Sequence, residues 1–101
     1  MSASINTNLT LKDKVAFVQG GSRGIGAAVV RRLAHEGASV VFTYASSAGK
    51  AQALVSDVEA RGGRVLAIQA DSADTTALQQ AVRIAAETFG RLDILVNNAG
   101  V

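Results

Sequence analysis

The sequence predicts an α/β domain built on a parallel sheet, and three observations carry that prediction. Short apolar runs rich in β-branched residues alternate with longer segments of helical periodicity. Each connection between two such runs is of helix length, which parallel strands require and hairpins do not. Glycines mark the boundaries, ten of them in 101 residues, and proline is absent.

Residues 1–10 are small and polar and read as a flexible leader, leaving residues 11–101 as the domain. Val15-Ala16-Phe17-Val18, stopped by two glycines, suits a strand buried on both faces. From Gly24 to Glu36, Ile25, Ala28, Val29 and Leu33 recur at helical spacing, and Gly37 is a natural terminator. Val40 to Tyr44 is β-branched and aromatic, a second strand. Ala51, Leu54, Val55 and Val58 mark one face of a second helix, closed by Gly62-Gly63, and a third strand runs from Val65 to Gln69. Asp74 is placed to cap a third helix with inner face Leu78, Ala81, Val82, Ala85 and Phe89, ended by Gly90. Ile94-Leu95-Val96 forms a fourth strand running into Asn97-Asn98-Ala99-Gly100. The order is β-α-β-α-β-α-β. Right-handed crossovers leave two arrangements, the mononucleotide-binding order 3-2-1-4 and the flavodoxin-like 2-1-3-4. The glycines after strand one favour the first.

Charge and composition remove several function classes. Ten Lys and Arg against eight Asp and Glu give a net charge of +2, too balanced for binding nucleic acid or a membrane surface by charge alone. Without cysteine there is no disulfide framework, thiolate nucleophile or Cys-based zinc site, and the single His35 builds no multi-histidine metal site. No apolar stretch reaches the roughly 18 residues of a transmembrane helix. The expectation is a soluble cytoplasmic domain without a metal, and His35 reads as surface.

Strand one runs into Gln19-Gly20-Gly21-Ser22-Arg23-Gly24-Ile25-Gly26, and an amphipathic helix begins inside that segment. Gly20 lets the chain turn off the strand. Gly24 removes a side chain where backbone must approach a pyrophosphate, and Gly26 lets the helix pack close to the sheet. Free N–H groups over residues 20–26 and the positive end of the helix dipole then face the anion. This strand–glycine loop–helix unit is the context a Rossmann-type dinucleotide site requires. The fold expected is therefore a doubly wound parallel sheet, cut to its first four strands in the order 3-2-1-4.

The spacing Gly-x-x-x-Gly-x-Gly, together with Asn97-Asn98-Ala99-Gly100 after strand four, strongly resembles the short-chain dehydrogenase/reductase family. The stretch GGSRGIGAAVVRRLAHEGASVVFTY is similar to the start of ketoreductase-type members such as 3-oxoacyl-(acyl carrier protein) reductases. The resemblance runs from Leu11 to Val101. One departure is that the family usually has Thr at the position of Gln19, where the hydroxyl ties the glycine loop to the Asn-Asn-Ala-Gly turn. An extended-type relative, such as a sugar-nucleotide epimerase, would need glycine where Ala27 stands.

The resemblance implies a nicotinamide cofactor. In NAD-binding relatives an acid ends strand two and takes the ribose 2′-OH. Here that segment is Thr43-Tyr44-Ala45-Ser46-Ser47, with no carboxylate, so NADP(H) is expected and NAD(H) is disfavoured. Arg23 matches the arginine such reductases place on the 2′-phosphate, with Ser46 a hydroxyl donor and Lys50 nearby. Asp71 would accept from the adenine amino group and Ser72 donate its N–H. Asn97 would border the adenosine ribose, while Ala99 and Gly100 let the cofactor approach. The candidate contacts are thus Gly20, Ser22, Arg23, Gly24, Ile25 and Gly26, then Tyr44 and Ser46, Asp71 and Ser72, and Asn97, Ala99 and Gly100.

The family transfers hydride with a Ser and a Tyr-x-x-x-Lys pair beyond the Asn-Asn-Ala-Gly turn. The one tyrosine here, Tyr44, has Ala48 four places on, so no catalytic residue carries over. The expectation is the cofactor-binding half of a carbonyl reductase or alcohol dehydrogenase, inactive alone, with strand four an unprotected edge through which the chain self-associates. A non-catalytic nucleotide-sensing module and an interaction fragment are the alternatives.

Overall fold

The computed structural model describes residues 11–21, 24–71 and 73–97. Four strands and three helices alternate: β1 (Val15–Gln19), α1 (Gly24–His35), β2 (Ser39–Tyr44), α2 (Ala48–Ala60), β3 (Arg64–Gln69), α3 (Thr75–Phe89) and β4 (Ile94–Asn97). The strands form one sheet in the order β3-β2-β1-β4, and each pairing is parallel. The expected Rossmann-type order is the one observed. The leader, residues 1–10, lies outside the described residues.

Register decides which side chains meet which helix. Phe17 pairs with Val41 on one side and with Leu95 on the other. Because side chains alternate across a strand, Phe17 and Val41 face α3, where they pack with Ala81 and Ala85. Their neighbours Ala16, Val18, Val40 and Phe42 face the other way, onto Val30 of α1 and Leu54 and Val58 of α2. Phe17, Phe42 and Leu54 are essentially fully buried, and each burial stabilises the fold by roughly 1.5–3 kcal/mol. β1 and β2 are covered on both faces, as their unbroken apolar runs predict.

The inner face of α1 corrects the sequence expectation. Its buried residues are Gly26, Ala27 and Val30, whereas Ile25 is 64% exposed and Ala28 is also exposed. Val29 and Leu33 do pack against the core from the edge of this face, so the expected stripe is right at these two positions and wrong at Ile25 and Ala28. Glycine and alanine allow the axis to approach the sheet, and a bulkier Ile25 on that face would hold it off.

The ends of the other helices follow local chemistry. Asp74 caps α3 by accepting the Ala77 N–H at 3.0 Å, and Gly90 ends it at φ +81°. At the start of the sheet, Asp93 joins two strands. Its Oδ2 accepts the Val15 N–H at 2.9 Å, while its own N–H donates to the Val15 carbonyl at 2.9 Å. β4 is the outer strand on this side among the described residues, and Leu95 on its α3 side is 66% exposed.

Candidate cofactor site

Because the strands are parallel, the segments that follow all four share one end of the sheet. α1 and α2 cover one face and α3 the other, so the winding reverses at β1, the kind of position at which open α/β sheets hold ligands beyond the strand ends. The candidate residues Gly20, Gly24, Ile25, Gly26, Tyr44, Ser46, Asp71 and Asn97 are at this end. Ser22, Arg23, Ser72, Ala99 and Gly100 lie outside the described residues.

The glycine loop is built against β2. Gly20 turns off β1 at φ +79°, and its N–H donates to Thr43 Oγ1 at 3.0 Å. The Gly21 N–H donates to the Thr43 carbonyl at 3.0 Å. A Cβ on Gly21 would fall 2.7 Å from Phe42 Cβ and 3.0 Å from Val30 Cγ2, so this glycine exists for close packing. The expectation that amides over residues 20–26 all face an anion is corrected here. Those of Gly20 and Gly21 are directed at Thr43, and Gly20 contributes its turn.

Gly24 differs. Its φ is +61°, and a Cβ built on it would have no atom within 4 Å. It opens α1, whose first turn carries no acid, so the positive end of the helix dipole lies here without a carboxylate from its own first turn. Beside it stands Ile25, an exposed apolar side chain. Gly26 is buried in the helix–sheet contact, as expected. A bare glycine at a helix N-terminus whose first turn carries no acid fits a diphosphate.

The segment after β2 is ordered by its neighbours. Tyr44 is partly buried and packs on the α1/α2 side of the core, while Ser46 is exposed. Gln69, ending β3, donates from Nε2 to the Ala45 carbonyl at 3.1 Å, and the Ala70 N–H donates to the Tyr44 carbonyl at 2.9 Å. Lys50 is exposed in the first turn of α2. Asp71 is exposed, and its Oδ1 accepts the Ala73 N–H at 2.9 Å, closing the turn into α3. Asn97 ends β4 directly opposite Gln19 in the register.

The sequence reading assigned no part to Thr43 or Gln69. Thr43 Oγ1 meets Gly20 across 23 positions, and only the parallel β1–β2 register makes that pairing visible.

Groups with shifted pKa values lie away from this end. Hydrogen bonds from Arg31 and then Arg61 hold the Asp57 carboxyl below its ordinary range, joining α1 to α2. Arg91, followed by the Val15 N–H, does the same for Asp93. A cavity of about 400 Å³ sits at the far ends of α1 and α2 and includes Arg31, His35, Arg61 and Arg64, with His35 exposed. Among the described residues no cluster of His, Cys, Asp and Glu would hold a metal ion, and no helix is long and apolar enough to cross a membrane.

A family model described as short chain dehydrogenase matches residues 14–101. The chain belongs to the short chain dehydrogenase family. Among solved structures, a short-chain dehydrogenase/reductase from Serratia marcescens is 71% identical, with a TM-score of 0.88 over 90% of this chain and 37% of that one. A short chain dehydrogenase from Burkholderia cenocepacia, solved in complex with NADP, is 60% identical, with a TM-score of 0.87 over 90% of this chain and 37% of that one. A 3-oxoacyl-(acyl-carrier-protein) reductase of Synechocystis is 43% identical over 91 residues, 90% of this chain and 37% of the relative. The chain thus spans little more than a third of the length of the short chain dehydrogenases it matches.

Proposed function

We propose that this chain is the cofactor-binding part of a cytoplasmic, NADP(H)-dependent oxidoreductase acting on a carbonyl or alcohol substrate. The observation that carries the reading is the open space at Gly24, on the ligand side of a positive-φ turn that begins α1. The α1 amides would hold the diphosphate, and Ile25 would shield one side of it from water. Ser46, on a segment without a carboxylate, would meet the ribose 2′ substituent, with Arg23 and Lys50 supplying charge. An acid at that position would repel a 2′-phosphate, so its absence favours NADP(H), and the Burkholderia relative's NADP complex supports the choice.

When bound, the cofactor supplies the hydride. Transfer also needs a positioned acid beside the substrate oxygen, and Tyr44 has no lysine four residues on. The 101 residues are therefore expected to bind NADPH without oxidising it. Isothermal calorimetry should give NADPH binding at least about tenfold tighter than NADH, a difference of about 1.4 kcal/mol. Absence of NADPH binding, or equal affinity for NADH, would reject the assignment. A second reading concerns partners: with Leu95 exposed on an outer strand, the chain is proposed to self-associate along β4. Sedimentation should show mass rising with concentration and Leu95→Lys suppressing that rise; a concentration-independent monomer refutes it.

A further inference from the structure

We infer that Thr43 is a positioning residue for dinucleotide binding, fixing the glycine loop to β2 without touching the ligand. The inference rests on the cofactor reading above. Thr43 is 1% exposed, so it cannot reach a bound molecule, yet it is one of two buried polar residues among the described ones. Both its acceptor oxygens are aimed at the loop: Oγ1 takes the Gly20 N–H and the carbonyl takes the Gly21 N–H, each at 3.0 Å. The paired register of β1 and β2 stops at Val18 and Phe42, and these two bonds continue the link beyond it.

Threonine suits the task for a physical reason. Its β-branched side chain is stiff at χ1, so Oγ1 is held in place by the same packing that fills the core. Valine would fill nearly the same volume and offer no acceptor. Thr43 also precedes Tyr44 and lies three residues before Ser46. One residue therefore anchors the diphosphate loop and begins the segment that carries the ribose-end contacts. The spacing between the two halves of the site is set from Thr43, within the core.

Thr43→Val and Thr43→Ser test this by amide hydrogen exchange and NADPH calorimetry on the whole chain. In Thr43→Val, which removes Oγ1 and keeps the carbonyl, exchange should rise at Gly20 while Phe17, Val41 and Val58 keep their protection. NADPH should bind about tenfold more weakly, the effect of losing one buried acceptor. Thr43→Ser keeps the hydroxyl and should restore both readouts. Unchanged exchange at Gly20, an NADPH dissociation constant within about twofold of the parent, or loss of protection throughout β1 and β2 in a folded variant would each overturn the inference. If Thr43→Val does not fold, Thr43→Ala and Thr43→Ser replace the pair, and equal NADPH affinity in these two would overturn it. A parent chain that binds no NADPH rejects the cofactor reading instead, and the exchange result still decides whether Thr43 holds the loop.

Discussion

Gly21→Ala places a methyl carbon 2.7 Å from Phe42 Cβ, 3.0 Å from Val30 Cγ2 and 3.2 Å from Phe42 Cγ. Carbon atoms prefer about 3.5–4.0 Å, so the nearest pair must separate by roughly 0.8 Å or more. Phe42 Cβ is fixed to the β2 backbone, which is paired to β1 on one side and β3 on the other. Val30 is fully buried and β-branched in a helix, so it has little rotamer freedom with which to yield. The strain belongs at the upper end of the overpacking range, about 2–3 kcal/mol. For a domain of this size that lowers Tm by roughly 10–20 °C. Gly24→Ala is the matched control, because it has open space and meets only the left-handed backbone penalty of about 1–2 kcal/mol. Thermal melts followed by circular dichroism, without ligand, should rank Gly21→Ala clearly below Gly24→Ala and both below the parent. A Gly21→Ala melt within about 2 °C of the parent would refute the claim that the loop rests on the core at this point.

Three further outcomes are expected. Gly49 lies in the first turn of α2 with nothing within 4 Å of an added Cβ, so Gly49→Ala should stabilise by up to about 1 kcal/mol, read as a higher urea midpoint. Asp93 has its folded pKa lowered by Arg91 and the Val15 N–H, so its contribution is present above the unfolded carboxylate pKa and lost as pH falls through the folded one. Asp93→Asn should therefore be less stable than the parent at neutral pH, with the gap closing on acidification; a gap that widens toward acid refutes the assignment. Gln69→Leu releases the Ala45 carbonyl and should lower the NADPH:NADH affinity ratio by about threefold through a loosened Ser46 segment, while thermal stability stays nearly unchanged, as befits one exposed hydrogen bond.

What could be read from the chain in advance depended on how local the deciding physics was. Asp74 and Gly90 were legible as helix ends because a cap and a left-handed stop are decided within four residues. The parallel order was legible because helix-length connections and a glycine loop after β1 admit few alternatives. The phase of α1 was legible only in part, at Val29 and Leu33. Hydropathy gives Ile25 more weight than Gly26 or Ala27, but close approach to the sheet selects small residues, and Ile25 is turned outward. Asp93 was equally hidden, since its partner Val15 is 78 positions away and the pairing exists only once β1 and β4 are neighbours. In the candidate site, Gly20 and Gly24 were legible from spacing. Thr43 and Gln69 were not, because their partners are backbone groups just past the ends of adjacent strands, which no side-chain pattern marks.

Glycine spacing in such a loop conflates two demands that the structure separates. Gly21 is outside the Gly-x-x-x-Gly-x-Gly pattern, yet an added methyl there would collide with the core. Gly24 is inside the pattern, and the same methyl would meet no packed neighbour from elsewhere in the fold. The demand at Gly24 is therefore set by its backbone conformation and not by packed neighbours. Its positive φ favours glycine without forbidding Asn or Asp, which also tolerate that region. On the proposed cofactor reading, a ligand lying against this backbone would exclude those side chains as well. Gly24→Asn separates the two demands: it should fold with a Tm near the parent and bind NADPH at least tenfold more weakly, about 1.4 kcal/mol or more. A Gly24→Asn chain that binds NADPH as tightly as the parent would mean that the space beside Gly24 is open for some purpose other than a dinucleotide.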